Sequence, residues 1–354
     1  MLPKHHHIIP RKIILGPNMP RKILVIYNSG RIGDTLLITP AIRAIHENNP
    51  DASITFYGHR NTLFLFEGLD FIKTRRAISK RKALFFGRHY FKIYDKTFVF
   101  NSNNEIPSQR YINLAQRISK KIFCYTDNKA KHEAHQSVFS AINTIGDEHL
   151  INRFLRLIAL DGIVTSNKQL AYSVLTHERN DGAHLLRTLE KDKPTIRVGF
   201  KLTSFQTRSY RDWPLDSFNE LIKSLLAWNP MVHCYIFGTP SDEAATNYLS
   251  KIDSTRIHAL TNLKLRSSAA IMEQLHLYIG VDTGPSHLMS TFNKPTIILY
   301  HCLSPSRLFG PLWSTNVVTY DLEDIQSNCD KHSPMSLIRW EDIFNKSKEI
   351  LSKL

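Results

Sequence analysis

The sequence predicts an α/β protein built from two doubly wound domains that face a central cleft. Three observations carry this expectation: a chain of 354 residues, two separate series of apolar strands alternating with helices, and a polar stretch over 176–194 between them. A chain of that length exceeds what one hydrophobic core usually fills, and strands that alternate with helices pair in parallel. The expected domains cover 1–180 and 181–354, with room for the final helix to return to the first.

The elements follow in order. Residues 23–27 (ILVIY) form an unbroken apolar run, as expected of a strand buried on both faces. A loop over 28–33 then leads into a helix on which Leu37, Ala41, Ala44 and Ile45 recur at helical spacing. Pro40 fits such a helix only near its start or at a kink. ITFYG over 54–58 completes a β-α-β unit, KTFVFN over 96–101 adds a strand, and 110–175 reads as mixed helix with weak punctuation. The second series opens with the strand IRVGF at 196–200, followed by a helix over 216–228 and a strand over 232–238. A helix over 242–251, the segment IHAL, a helix over 267–274 and the strand LYIGV come next. A helix opened by Pro285 and the strand TIILY close the alternation.

Composition narrows the class of function. Hydrophobic residues make up 42% and charged residues 22%, which is globular, and no apolar run reaches the roughly 18 to 20 residues that cross a bilayer. The first residues mix basic side chains and prolines where a signal peptide needs an apolar stretch, so the cytoplasm is expected. Cys124, Cys234, Cys302 and Cys329 form no C-x-x-C pair, and reduced thiols are expected. His5, His6 and His7 lack the fixed geometry a metal site needs. The net charge of +15 draws phosphate, on nucleic acid or lipid. Much of it lies in Lys73, Arg75, Arg76, Lys80, Arg81, Lys82, Arg88, Lys92 and Lys96, interleaved with Phe85, Phe86, Tyr90 and Phe91 against the one carboxylate Asp95. That stretch suits either a membrane or polyanion surface or a solvated basic face. Helix-turn-helix, zinc-finger and RNP patterns are lacking, so no nucleic-acid partner is expected.

Three loops fall at strand ends, where open α/β sheets bind ligands. Residues 28–35 (NSGRIGDT) are too poor in glycine for a dinucleotide fingerprint. Asp34 there fits a helix-capping or first-turn acid, a role worth about 0.5 to 2 kcal/mol, or a functional carboxylate. Residues 280–287 (GVDTGPSH) put Asp282 and Thr283 after a buried strand, with Gly284 and Pro285 opening a helix whose free N–H groups favour an anion. His287 lies on that first turn, as a donor to a diphosphate or as a satisfied structural histidine. Residues 206–214 (QTRSYRDWP) offer one threonine and two arginines as a phosphate clamp, pinned by Trp213 and Pro214.

Together these loops resemble glycosyltransferase family 9, the ADP-heptose:lipopolysaccharide heptosyltransferases, over nearly the whole chain. RKILVIYNSGRIGDTLLITPAIRAIHENNPDASITF is similar to the family's opening strand, glycine–aspartate loop and first helix. KIYDKTFVF, RSYRDWP, IFGTPSDE and VDTGPSHLMSTFNKPTIILY follow in the family's order, the last being the most specific. The resemblance implies a GT-B fold with an acceptor domain first and an ADP-sugar domain second. It also implies an inverting transfer of heptose from ADP-heptose to an anionic lipid A-core acceptor at the inner membrane face, with neither metal nor cofactor. Asp34 would be the general base, and Asp282, Thr283, Gly284 and His287 would line the donor with Arg211. Thr207 would touch phosphate, Glu243 or its neighbour Asp242 the ribose, and Leu263 the adenine. Arg31, Arg60, Lys80, Arg81 and Lys82 fall on the acceptor side. Arg211 stands where the family usually has lysine, and Asn28, Arg31, Cys302 and Leu303 also depart from its pattern. A sugar-nucleotide epimerase on the same two-domain plan is the competing enzyme reading, and a non-catalytic sugar-nucleotide sensor is a third.

Overall fold

The computed structural model describes residues 21–85, 92–101, 108–125, 139–142, 147–191, 193–311, 313–325 and 328–354. His5, His6, His7, Phe86, Arg88, Tyr90 and Phe91 lie outside them, as does the Phe85 side chain. No helix among the described residues is long and apolar enough to cross a membrane.

The first domain runs β1 (Lys22–Tyr27), α1 (Ile32–Leu37), α2 (Thr39–Glu47), β2 (Ser53–Gly58), β3 (Thr74–Ala77) and α3 (Lys80–Phe85). It continues with β4 (Tyr94–Val99), α4 (Gln109–Ile118), β5 (Ser119–Tyr125), β6 (Phe139–Ile142) and α5 (Leu150–Ala159). The second opens with α6 (Thr176–Glu190), β7 (Ile196–Lys201), α7 (Leu215–Trp228), β8 (Val232–Phe237), α8 (Glu243–Ser250) and β9 (Ile257–Leu260). α9 (Leu265–Met272), β10 (Leu277–Val281), α10 (Gly284–Met289), β11 (Thr296–Tyr300), α11 (Ser306–Phe309), β12 (Val317–Asp321) and α12 (Trp340–Leu351) complete it. Each sheet has six parallel strands, ordered β3-β2-β1-β4-β5-β6 and β12-β11-β10-β7-β8-β9, the same doubly wound order twice.

The central strands β1 and β10 are buried on both faces, as their apolar runs require. The proline expected to kink the first helix does so: helix breaks at Ile38, and Pro40 sits near the start of α2. Three expectations are corrected. Residues 176–194 are no linker, because α6 occupies most of them and packs on α9. Its buried positions, Gly182, Leu186 and Glu190, recur every four residues, but only one is hydrophobic, so the periodicity was hidden. Gly182 lets the two helices pack closely, since a Cβ would come to 3.1 Å from the Ala270 backbone. Second, 110–175 holds β5 and β6 as well as helices; β5 follows α4 without an intervening turn. Third, α12 packs on α7 and β10, so it stays with the second domain.

The cysteines also differ from expectation. Cys302 and Cys329 form a disulfide with Cα atoms 5.8 Å apart, while Cys124 and Cys234 are free and buried. Spacing could not show this, because the strand end after β11 and the segment after β12 meet only in the folded chain. Closing a loop over a separation of 27 residues stabilises the fold by about 3 kcal/mol in the chain-entropy account. Reductant should therefore lower the melting temperature of the second domain by roughly 5 to 10 °C. A shift under about 1 °C, with four titratable thiols in the unreduced unfolded chain, would refute the crosslink.

Arg266 of α9 fastens the domains to one another. Its guanidinium donates to the Phe64 carbonyl at 3.1 Å, to the Ser173 carbonyl at 3.0 Å and to Glu178 Oε2 at 2.6 Å.

Candidate active site

Strand order reverses between β1 and β4 in one sheet and between β7 and β10 in the other. Neighbouring loops part at such points and open a crevice at the carboxyl ends of the strands. The loops after β1, β7 and β10 all enter it, and a cavity of about 830 Å³ lies between the domains there.

From the first domain comes Asp34, in the first turn of α1. The N-cap is Arg31, so Asp34 is a first-turn acid and not the cap. Its carboxylate accepts from Ser29 Oγ at 3.3 Å and lies 3.9 Å from Arg31 Nη1, with the side chain only 18% exposed. Burial raises its pKa above the usual 3.8, against the opposing pull of Arg31, His287, Ser29 and Arg208. Two of those four groups, His287 and Arg208, belong to the other domain. The domains come this close because Gly33 and Gly284 lack side chains. A Cβ on Gly33 would lie 2.6 Å from His287 Cδ2, and one on Gly284 2.7 Å from Ile32 Cβ.

From the second domain comes Asp282, at the end of β10. It accepts from Arg211 Nη1 at 2.8 Å and Ser304 Oγ at 2.8 Å, with His287 Nε2 at 3.5 Å. Burial pushes its pKa up, but His287, Arg211 and Ser304 together outweigh that and hold it below the usual carboxylate range. Arg211 Nε and His287 Nδ1 are both buried and find no hydrogen-bond partner among the described residues. Donors and acceptors left this way beside a cavity are suited to a polar ligand. Trp213 pins the loop as expected: its ring packs edge-on to Phe218 at 4.8 Å and its Nε1 donates to the Ile338 carbonyl at 2.9 Å.

The cavity's far end, at the ends of β7 and β8, is polar on one wall, with Lys201, Thr203, Thr239 and Asp242. Leu263, Leu265 and Met272 give the same cavity an apolar lining. Glu148, Leu150 and Arg153, around the start of α5, line the first-domain side. Beside them His149 bridges the domains. Its Nδ1 accepts from the Ile151 N–H at 3.1 Å, so its Nε2 carries the proton and donates to the Gly310 carbonyl at 2.9 Å.

Of the residues expected from sequence, Arg31, Asp34, Arg211, Leu263, Asp282, Thr283, Gly284 and His287 line this one cleft. Thr207 and Glu243 do not; both are exposed. Thr207 lies within the 3-10 turn Gln206–Arg211, which has no buried residue, while Thr203, four residues earlier, lines the cleft. Glu243 opens α8 toward solvent, while Asp242, one residue earlier, closes a capping box with Thr239 inside the cleft. Arg60 and Lys80 are exposed and outside the cleft. Arg81 and Lys82 line a second cavity of about 750 Å³ with Tyr57, Arg76 and Ser79, at the ends of β2 and β3. Lys96 is not part of a free basic face, because it pairs with Asp161. Lys201 and Arg153 went unforeseen, the first hidden at the end of an apolar run and the second in a stretch with no readable period. The ligand atoms of His301, Cys302 and Cys329 lie within 4.8 Å of one another, but two of them are the disulfide sulfurs.

Two doubly wound domains meeting in this way, with the cleft at their strand ends, are the GT-B arrangement of glycosyltransferases. The chain belongs to glycosyltransferase family 9 (heptosyltransferase), whose sequence profile matches residues 102–338. It is 21% identical over 345 residues to lipopolysaccharide heptosyltransferase 3 of Escherichia coli K12, covering 90% of this chain and 95% of that one. The glycosyltransferase family 9 structure from Veillonella parvula superposes with a TM-score of 0.76 at 17% identity, over 94% of this chain and 98% of the other. The E. coli ADP-heptose lps heptosyltransferase II structure gives 0.72 at 15% identity, over 94% and 99%. At such identities the structures establish the fold.

Proposed function

We propose that this glycosyltransferase moves a heptose from ADP-heptose onto the inner core of lipopolysaccharide, inverting the anomeric carbon, with Asp34 as general base. One observation carries the reading: the cleft sets the Asp34 carboxylate of one domain against the Arg211–Asp282–His287 group of the other. In a single displacement the acceptor oxygen bonds to the anomeric carbon as the bond to the diphosphate breaks. The departing ADP keeps the electron pair, and the acceptor proton goes to Asp34. Charge grows on the leaving diphosphate, and in this reading Arg211, Arg208 and His287, which line the cleft, meet it. The apolar wall of Leu263, Leu265 and Met272 suits adenine, and Asp242 suits the ribose hydroxyls. In this reading the guanidinium groups of Arg211 and Arg208 take the part that a metal plays elsewhere.

The test is incubation with ADP-heptose and a panel of truncated core acceptors, read by mass spectrometry, with and without a chelator. One heptose should be added, only when acceptor is present, and equally with chelator. ADP-heptose converted without any acceptor would favour the epimerase reading instead.

The basic rim at Arg76, Lys80, Arg81 and Lys82 is exposed, and we assign it to the anionic acceptor and the inner face of the cytoplasmic membrane. Reversing the charge of Lys80, Arg81 and Lys82 together should weaken binding to anionic vesicles and raise the acceptor KM by about tenfold or more at low salt. The effect should shrink as salt rises. Unchanged vesicle binding and KM would reduce this rim to a solubilising surface.

A further inference from the structure

Lys201 ends β7 with only 8% of its surface exposed, and its ammonium sits in the cleft wall. Nζ donates to Asp242 Oδ2 at 3.1 Å and to Thr203 Oγ1 at 3.1 Å. Asp242 Oδ2 also receives the Thr239 N–H at 2.7 Å and Thr239 Oγ1 at 3.2 Å, while Oδ1 receives, among the described residues, Thr203 Oγ1 alone. A carboxylate offers about four acceptor positions, so Oδ2 is saturated and Oδ1 keeps room for one more donor. Gly238 is part of the same construction, because a Cβ there would fall 2.8 Å from Asp242 Oδ2.

A buried ion pair is seldom needed for stability, since apolar residues of the same volume often serve a fold equally well. This one stands at the carboxyl edge of the second sheet and lines the same cavity as the apolar side chains of Leu263 and Met272. A ligand with a flat apolar group against those side chains has its adjoining hydroxyls to offer to Asp242 Oδ1 and Thr203.

We propose that Lys201 is the positioning residue for donor specificity: it clamps Asp242 through Oδ2 so that Oδ1 and Thr203 read the hydroxyl pair of a nucleoside diphosphate's ribose. The assignment rests on the nucleotide-sugar reading of the cleft. Lys201 acts through Asp242 and makes no contact with the phosphates.

Calorimetry with ADP and with 2′,3′-dideoxy-ADP separates these roles. The parent protein should prefer ADP by roughly 10- to 100-fold, the range expected for hydrogen bonds to a charged group. Lys201→Met should weaken ADP about tenfold or more and leave dideoxy-ADP within about twofold, so that the preference collapses. Lys201→Arg should keep most of the preference. Equal weakening of both ligands by Lys201→Met would mean that Lys201 holds the phosphates or the fold, and no weakening of either would remove it from the site. Both results overturn the proposal. Should the methionine variant not fold, Lys201→Gln keeps a polar donor without the charge, and a folded Lys201→Gln with the full parental preference overturns it equally. If the parent binds neither nucleotide, the nucleotide-sugar reading itself fails; if it binds both alike, only the roles of Asp242 and Lys201 fail.

Discussion

Asp34→Asn is expected to fold and bind ADP as the parent does, while transfer falls by about 10² to 10⁴, the usual loss when a positioned base is removed. The two carbonyl-type side chains are nearly isosteric, and no cap is lost, because Arg31 holds the N-cap position. Stability provides an independent check. Burial raises the pKa of Asp34, so the folded state favours the protonated form relative to the unfolded chain. Any such stabilisation is present below the unfolded pKa and disappears as pH rises through the folded one. At neutral pH the ionised carboxylate therefore costs stability, and the amide should leave the melting temperature unchanged or raise it. The acid limb of the rate profile should likewise be shifted upward from the usual aspartate value. A folded Asp34→Asn enzyme working at more than about a tenth of the parental rate would sink the assignment.

Arg211→Ala is expected to weaken ADP by about 10- to 100-fold and to destabilise the second domain by about 3 kcal/mol, since it strips a buried carboxylate of its cation. The side chains of Arg211 and Asp282 are 11% and 7% exposed, so water replaces little of what is lost. Ser304 and His287 still hold Asp282, which keeps the cost at the lower end of the range for broken buried pairs. Arg211→Lys should retain most of the ADP affinity, because charge matters more here than the second arm of the fork. Denaturant melts combined with calorimetry resolve the two effects. Equal ADP affinities for Arg211→Ala and the parent would remove Arg211 from the donor site, whatever happened to stability.

The sequence by itself determined the two-domain α/β class and three of the loops that make the cleft. Buried parallel strands write themselves as unbroken apolar runs, and the residues that follow them are confined to one sheet edge by topology. Asp34, Asp282 and His287 were therefore legible, because each stands at or just past the end of such a run. Exact side-chain aim was not. Thr207 and Glu243 fit the linear pattern, yet a 3-10 turn and a helix start face them outward, while Thr203 and Asp242 line the cleft. Lys201 gained its partner across 41 residues, and Cys302 its disulfide across 27, through neighbours no local period encodes. The meeting of Asp34 with His287 belongs to tertiary structure altogether. It requires two glycines from different domains to face one another, and only the packed fold removes the space a Cβ would need.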